Sequence, residues 1–235
     1  MLFGTNILFR MNILNIIFPR RCVGCGKIGR YICSACQTTV THLDRLKCPE
    51  CGKAAISGMT HPGCRTRYTL DGLTSFFRYD GVVRKAIKTL KYRLVTDLTR
   101  ELVSLVPPVN PLELVLPRQP IFVPIPLHPS RQRERGFNQT EVLSRALGSR
   151  WGIAVRTDIL KRVKQTTPQV AMHSREDRLK NMKDVFTVSI TAGNLKNIPI
   201  VLFDDVFTTG ATLRVAGNTL KRAGAKFVWA LTIAQ

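Results

Sequence analysis

The chain has 235 residues and a formal net charge of +21, from 36 Lys and Arg against 15 Asp and Glu. Such a length holds a full α/β core with a small second module beside it. The charge excludes indifference to polyanions, so nucleic acid, phosphorylated metabolites or an anionic surface are the expected partners.

In chain order, residues 7–18 come first: apolar, but interrupted by Arg10, Asn12 and Asn15. They are too short and too polar to span a bilayer, and no small-residue cleavage site precedes Pro19. A short amphipathic helix docked on the protein is expected within an extension at residues 1–20. Met11 is an alternative start.

All seven cysteines follow, between Cys22 and Cys64. The odd count and the C-x-x-C spacing argue against a secreted disulfide framework and for thiolate–metal ligation in a reducing cytoplasm. Cys22, Cys25, Cys33 and Cys36 form two pairs. Cys48 and Cys51 form a third, and His61 with Cys64 supplies the fourth. Eight ligands make two tetrahedral Zn²⁺ sites, a Cys₄ and a Cys₃His, if the pairs are used sequentially; crossed pairing remains open. Full ligand sets leave no open coordination position, so the sites are expected to be structural. A module this small, at residues 21–66, needs its metal to fold.

The remainder, 67–235, reads as one α/β domain. A strand is expected at 73–79, a helix from Asp80-Gly81 and another from Thr96, ended by Pro107-Pro108. Residues 121–125 form a short buried strand, and a basic loop with Leu127, His128, Arg131, Arg133 and Arg135 leads to a helix carrying Val142, Leu143, Ala146 and Leu147. These arginines face solvent or an anion. A strand at 198–203, a helix at 212–223 and a strand at 227–233 then make one right-handed βαβ unit in a mostly parallel sheet.

That last unit is the most informative. Asp204 and Asp205 stand where the apolar strand ends, followed by Thr208, Thr209, Gly210, Ala211 and Thr212. Exposed N–H groups at a helix N-terminus bind a phosphate dianion, the threonines add donors, and Gly210 admits close approach. Two carboxylates suit a ribose diol and hold Mg²⁺ through water. No Gly-Lys-Ser/Thr follows, so this is not a Walker A loop.

The segment 201–212 resembles the phosphoribosyl-pyrophosphate (PRPP) motif of the type I phosphoribosyltransferases. From about Met11 onward the chain, with its zinc module and the Arg133 to Gln139 run before a helix, is similar to the ComF/GntX family of competence-associated proteins. His61 stands where a Cys is more usual in that family. The resemblance implies a Rossmann-type phosphoribosyltransferase-like domain behind a double zinc ribbon. It also implies that Asp204 and Asp205 are catalytic, that Thr208 to Thr212 hold the 5-phosphate, and that Leu127, His128 and Arg131 hold pyrophosphate with Mg²⁺. Lys161 and Lys164 would belong to a lid that includes Gln165, Thr166, Thr167 and Gln169. The implied role is DNA uptake or use of external DNA. Single-stranded DNA would lie along Arg131, Arg133, Arg135, Lys161, Arg162 and Lys164, and a helicase or recombination mediator of the competence machinery is an implied partner. The rival reading is a metabolic phosphoribosyltransferase acting on a nucleobase or another small acceptor.

Overall fold

A computed structural model of the chain describes residues 19–93, 95–116, 119–164 and 184–235. The expected amphipathic helix at 7–18 and most of the lid, from Gln165 on, lie outside the described residues.

Five parallel strands form the main sheet, in the order β1 (Gly72–Phe77), β7 (Val228–Ala234), β6 (Ile200–Val206), β2 (Ile121–Pro124) and β3 (Ala154–Val155). β1, β6 and β7 are almost continuously apolar and buried, as strands covered on both faces must be. One face carries α2 (Gly81–Tyr92), α3 (Thr96–Ser104) and α5 (Gln139–Trp151); Val83, Ile87, Leu98, Leu102, Leu143 and Leu147 pack there with Phe122, Phe203 and Trp229. The other face carries α6 (Ala211–Arg222) through Leu213, Ala216 and Leu220, together with a two-stranded antiparallel sheet of β4 (Leu160–Arg162) and β5 (Phe186–Val188). At Gly72 a Cβ would lie 2.2 Å from the Trp229 ring, so only glycine lets that indole cross β1.

Beyond β2 the chain moves outward to β3, whereas beyond β6 it moves the opposite way to β7. The strand order thus reverses between β2 and β6, and their C-terminal ends open the crevice where ligands bind in open parallel sheets.

The cysteine-bearing module, with its one short helix α1 (Ser34–Gln37), does not hang from a free linker. It lies along the outer edge of β1. Leu43 N–H donates to Phe76 O, Arg78 N–H to Thr41 O and Thr60 N–H to Asp71 O, with isolated bridges at His42–Phe77 and Met59–Gly72. An edge strand's unpaired backbone groups are a hazard, and here the module covers them. From the helical side, Glu101 accepts from the N–H groups of Tyr31 and Ile32, and Lys85 donates to Gly24 O. Arg65 and Lys221 both reach the buried Asp71 carboxylate, at 3.0 and 2.6 Å.

Candidate functional site

The cysteine ligands settle into two groups, Cys22, Cys25, Cys33 and Cys36, and Cys48, Cys51, His61 and Cys64, each with its donor atoms within 4.8 Å of one another. The pairing is sequential. Cys25 Sγ lies 3.6 Å from Cys33 Sγ, and Cys51 Sγ 3.4 Å from His61 Nδ1. A tetrahedron with Zn–S of about 2.3 Å has edges of about 3.8 Å, so both sets fit Zn²⁺. His61 would ligate through Nδ1, since its Nε2 stands 2.9 Å from Ala54 O, an outer contact that orients the ring. Burial alone would raise the Cys22 thiol, but the backbone N–H groups of Cys33, Cys25 and Gly24 at its sulfur bring it down to about 6. Cys48 is likewise lowered: against burial, the N–H groups of Cys51, His61 and Glu50 favour its thiolate. In each set another thiol moves the opposite way: the hydrogen bond to Cys22 and burial push Cys36 up to about 12, and burial pushes Cys64 up to about 11.

The second centre lies at the β2–β6 crevice. Strand β6 runs further than the sequence pattern suggests, through Val206, so Asp204 and Asp205 belong to the strand. Successive strand residues face opposite sides of a sheet, and the two acids accordingly have different surroundings. Asp205 is buried towards α2 and α5, where Lys91 Nζ lies 2.9 Å from its Oδ2 and Gln139 Nε2 donates to the same oxygen at 3.4 Å. Asp204 receives the Asp205 N–H at 2.8 Å on Oδ1. Burial, and then the adjacent Asp205 charge, push Asp204 far above the ordinary carboxylate range, to about 8. Arg162 from β4 feels both this acid and Arg131, and burial draws its own pKa down.

The turn after β6 has the geometry of an anion cradle. Gly210 takes φ 72°, where a Cβ would also meet the Phe207 ring at 2.5 Å. It is the N-cap of α6 and provides no side-chain cap, so the first N–H groups of α6 have no side-chain acceptor. Thr208 is exposed, Thr212 half-buried and Ala211 buried. Thr209 Oγ1 is shielded from solvent and has no hydrogen-bond partner among the described residues.

Across the crevice the expected basic loop is largely a helix, α4 (Pro129–Arg135). The reason is local: His128 caps it by accepting the Ser130 N–H through Nδ1, Pro129 occupies its first turn, and Gly136 ends it at φ 76°. Leu127 and His128 precede it, while Arg131, Arg133 and Arg135 ride on it. Arg133 is exposed. Arg135 donates to Gln139 Oε1 and lies over the Tyr92 ring, 5.7 Å from its centroid. Lys161 and Lys164 are exposed on and beyond β4, and Lys164 faces Asp184 at 3.9 Å.

Sequence reasoning missed three of these residues. Lys91 and Gln139 sit within amphipathic helices, where a cation or an amide at a helix end reads as surface; only the tertiary fold turns them towards Asp205. Tyr92, 76% exposed beside this basic strip, carries no sequence signal of its own at the end of its helix.

Together these features define an α/β protein with a metal ribbon on one sheet edge and a crevice lined by an acid pair and an uncapped helix N-terminus at the sheet's switch point. A family model described as a double zinc ribbon domain matches residues 13–65. Over 237 residues the chain is 30% identical to Competence protein F of Haemophilus influenzae, a match covering 94% of this chain and 98% of that protein. It is 29% identical over 197 residues to Competence protein ComFC of Streptococcus pneumoniae, covering 84% of each. It is also 29% identical over 212 residues to DNA utilization protein YhgH of Escherichia coli K12, covering 85% and 89%. The chain belongs to the ComF/GntX family. No helix among the described residues is long and apolar enough to cross a membrane.

Proposed function

We propose that the β2–β6 crevice binds PRPP or a related sugar phosphate with Mg²⁺, and that the protein serves DNA uptake or the use of external DNA by binding single strands on the adjoining basic surface. The observation that carries the first half is the turn itself: a left-handed Gly210 and, among the described residues, an α6 N-terminus with no side-chain cap and a buried Thr209 hydroxyl with no hydrogen-bond partner. A buried donor without an acceptor calls for one, and a phosphate oxygen supplies it while the α6 N–H groups take the charge.

The roles follow from the two environments. Asp205, tied to Lys91 and Gln139, is a fixed anchor beneath the ribose. Asp204 accepts from the ribose hydroxyls and faces developing positive charge at C1. Asp204 also fits Mg²⁺, because a cation relieves the burial and like charge that hold its proton, and Mg²⁺ is commonly held by one or two carboxylates with substrate phosphates. Bound there, Mg²⁺ would supply charge neutralisation for the pyrophosphate. Arg162 on β4 feels both Arg131 and Asp204 and would add positive charge near the pyrophosphate, with Arg131, Lys161 and Lys164 as further candidate cations.

The DNA half rests on the +21 charge, on Arg131, Arg133, Arg135 and Tyr92 at the crevice, and on the names of the relatives. A cytoplasmic location matches thiolate zinc sites, and the competence machinery, a helicase or recombination mediator, supplies partners. The rival, a metabolic phosphoribosyltransferase with a small acceptor, is favoured by the intact acid pair. Thermal-shift titration with PRPP and ribose 5-phosphate, with and without Mg²⁺, tests the pocket: binding raises the melting temperature by mass action. No shift at millimolar ligand on folded protein would remove the sugar-phosphate reading.

A further inference from the structure

One side chain joins the two centres. Arg214, in the first turn of α6, donates through Nη2 to Thr209 O at 2.7 Å and through Nη1 to Pro49 O at 2.8 Å, with Glu50 O at 3.5 Å. Thr209 belongs to the phosphate turn. Pro49 and Glu50 are the two residues between the ligands Cys48 and Cys51.

The contacts are chemically ordered. A peptide unit is planar, with its C=O and N–H pointing opposite ways. Two peptide units, Pro49–Glu50 and Glu50–Cys51, lie inside this knuckle. Their carbonyls, Pro49 O and Glu50 O, point at Arg214. Each unit is therefore polarised by the guanidinium at its carbonyl, and its N–H, on the opposite side, becomes the better donor towards the ligand pair. The third carbonyl, Thr209 O, shares its peptide with the Gly210 N–H, on the side away from Arg214. The guanidinium also packs against the next residue: a Cβ built on Gly210 would stand 3.1 Å from Arg214 Nη1.

We infer that Arg214 is a positioning residue that couples the Cys48–Cys51–His61–Cys64 centre to the phosphate turn: the metal-loaded knuckle holds the guanidinium, and the guanidinium holds the turn ready for a phosphate. Because coupling between sites is reciprocal, an occupied turn protects the knuckle in return. The ligand arm of this inference rests on the sugar-phosphate reading above; the knuckle arm does not. A lysine does not replace the arginine, because a single ammonium lacks the planar fork that spans two separate elements.

The test is site-resolved alkylation of the full-length, zinc-loaded protein by iodoacetamide, read by mass spectrometry. Cys51 reports the coupled knuckle, and Cys25, equally exposed, reports the first zinc site as an internal control. In ligand-free protein, Arg214→Ala and Arg214→Lys should each speed Cys51 alkylation on the order of tenfold, the loss of one charge-assisted hydrogen bond, and leave Cys25 unchanged. With ribose 5-phosphate and Mg²⁺ added, wild-type Cys51 should slow, and both variants should lose that slowing. Equal acceleration of Cys25 and Cys51 would mark general destabilisation and overturn the inference, as would an unchanged Cys51 rate. If the wild-type protein does not bind ribose 5-phosphate, the pocket reading fails, and the ligand-free arm still decides whether Arg214 holds the knuckle.

Discussion

Lys91 Nζ stands 2.9 Å from Asp205 Oδ2, so one acid of an adjacent pair is matched to a cation from another element, while burial and the neighbouring charge push the other, Asp204, up to about 8. The two acids thus differ in their electrostatic surroundings before a ligand enters.

The first prediction concerns the Asp204 proton. Asp204 has a folded-state pKa raised to about 8, above its unfolded value. The native state therefore binds more protons than the unfolded chain between roughly pH 4 and 8. The stability this contributes is complete below the unfolded pKa and is lost as pH rises through the folded one. Asp204→Asn should thus raise the melting temperature of ligand-free protein above pH 8 and flatten its decline from pH 5 to 9, while weakening sugar-phosphate binding. Thermal melts across that range check it; a variant with the parent's slope would refute the proton assignment.

The second concerns the cation. Lys91→Met removes the partner of a buried carboxylate, which costs roughly 3 kcal/mol. Adding Asp205→Asn should restore most of that loss, because the stranded charge goes with it. Urea melts of the four proteins in this cycle measure the coupling. Simple additivity of the two losses would contradict the pairing.

The third concerns metal. Elemental analysis should find two Zn²⁺ per chain. Since the module covers β1 with backbone hydrogen bonds from Leu43 and Thr60, chelation should do more than unfold a small appendage. It should bare the sheet edge and promote association, visible as light scattering that rises with chelator. Chelated protein that stays monomeric would show that the edge protects itself.

The fourth concerns polyanions. Single-stranded DNA should bind with little sequence preference, with log affinity falling against log salt by about 0.7 per phosphate neutralised. Reversing Arg133 and Arg135 to Glu should lower both affinity and slope. Tyr92→Ala should lower affinity with the slope unchanged, because a lost stacking face costs about 1–3 kcal/mol per base but no counterions. An unchanged affinity in both variants would assign this strip to plain solvation.

Much of this architecture was legible beforehand for identifiable reasons. Thiolate spacing is local, so Cys22 to Cys64 declared a metal module; which pairs share a metal needed the fold. The apolar run into Asp204 marked a central strand because covered parallel strands leave no polar face. The helical α4 was hidden by its arginines, whose charge reads as loop, although His128-Pro129 and Gly136 carried its start and stop. Lys91 and Gln139 reach Asp205 from helices far away in sequence, a relationship no short-range pattern encodes. Nothing in the local pattern singles out Arg214 among the polar residues of its helix.

The strand order also dictates when the protein can become whole. The Ser75 and Thr232 hydroxyls, 2.7 Å apart on β1 and β7, are separated by 157 residues of chain. During synthesis the metal knuckles emerge first and close on local contacts alone, while β1 waits through nearly the entire α/β domain for its neighbour. For that interval the ribbon is the only described element lying along β1's backbone, placed to shield a nascent strand. Zinc supplied during synthesis should therefore raise the yield of folded protein more than zinc added afterwards.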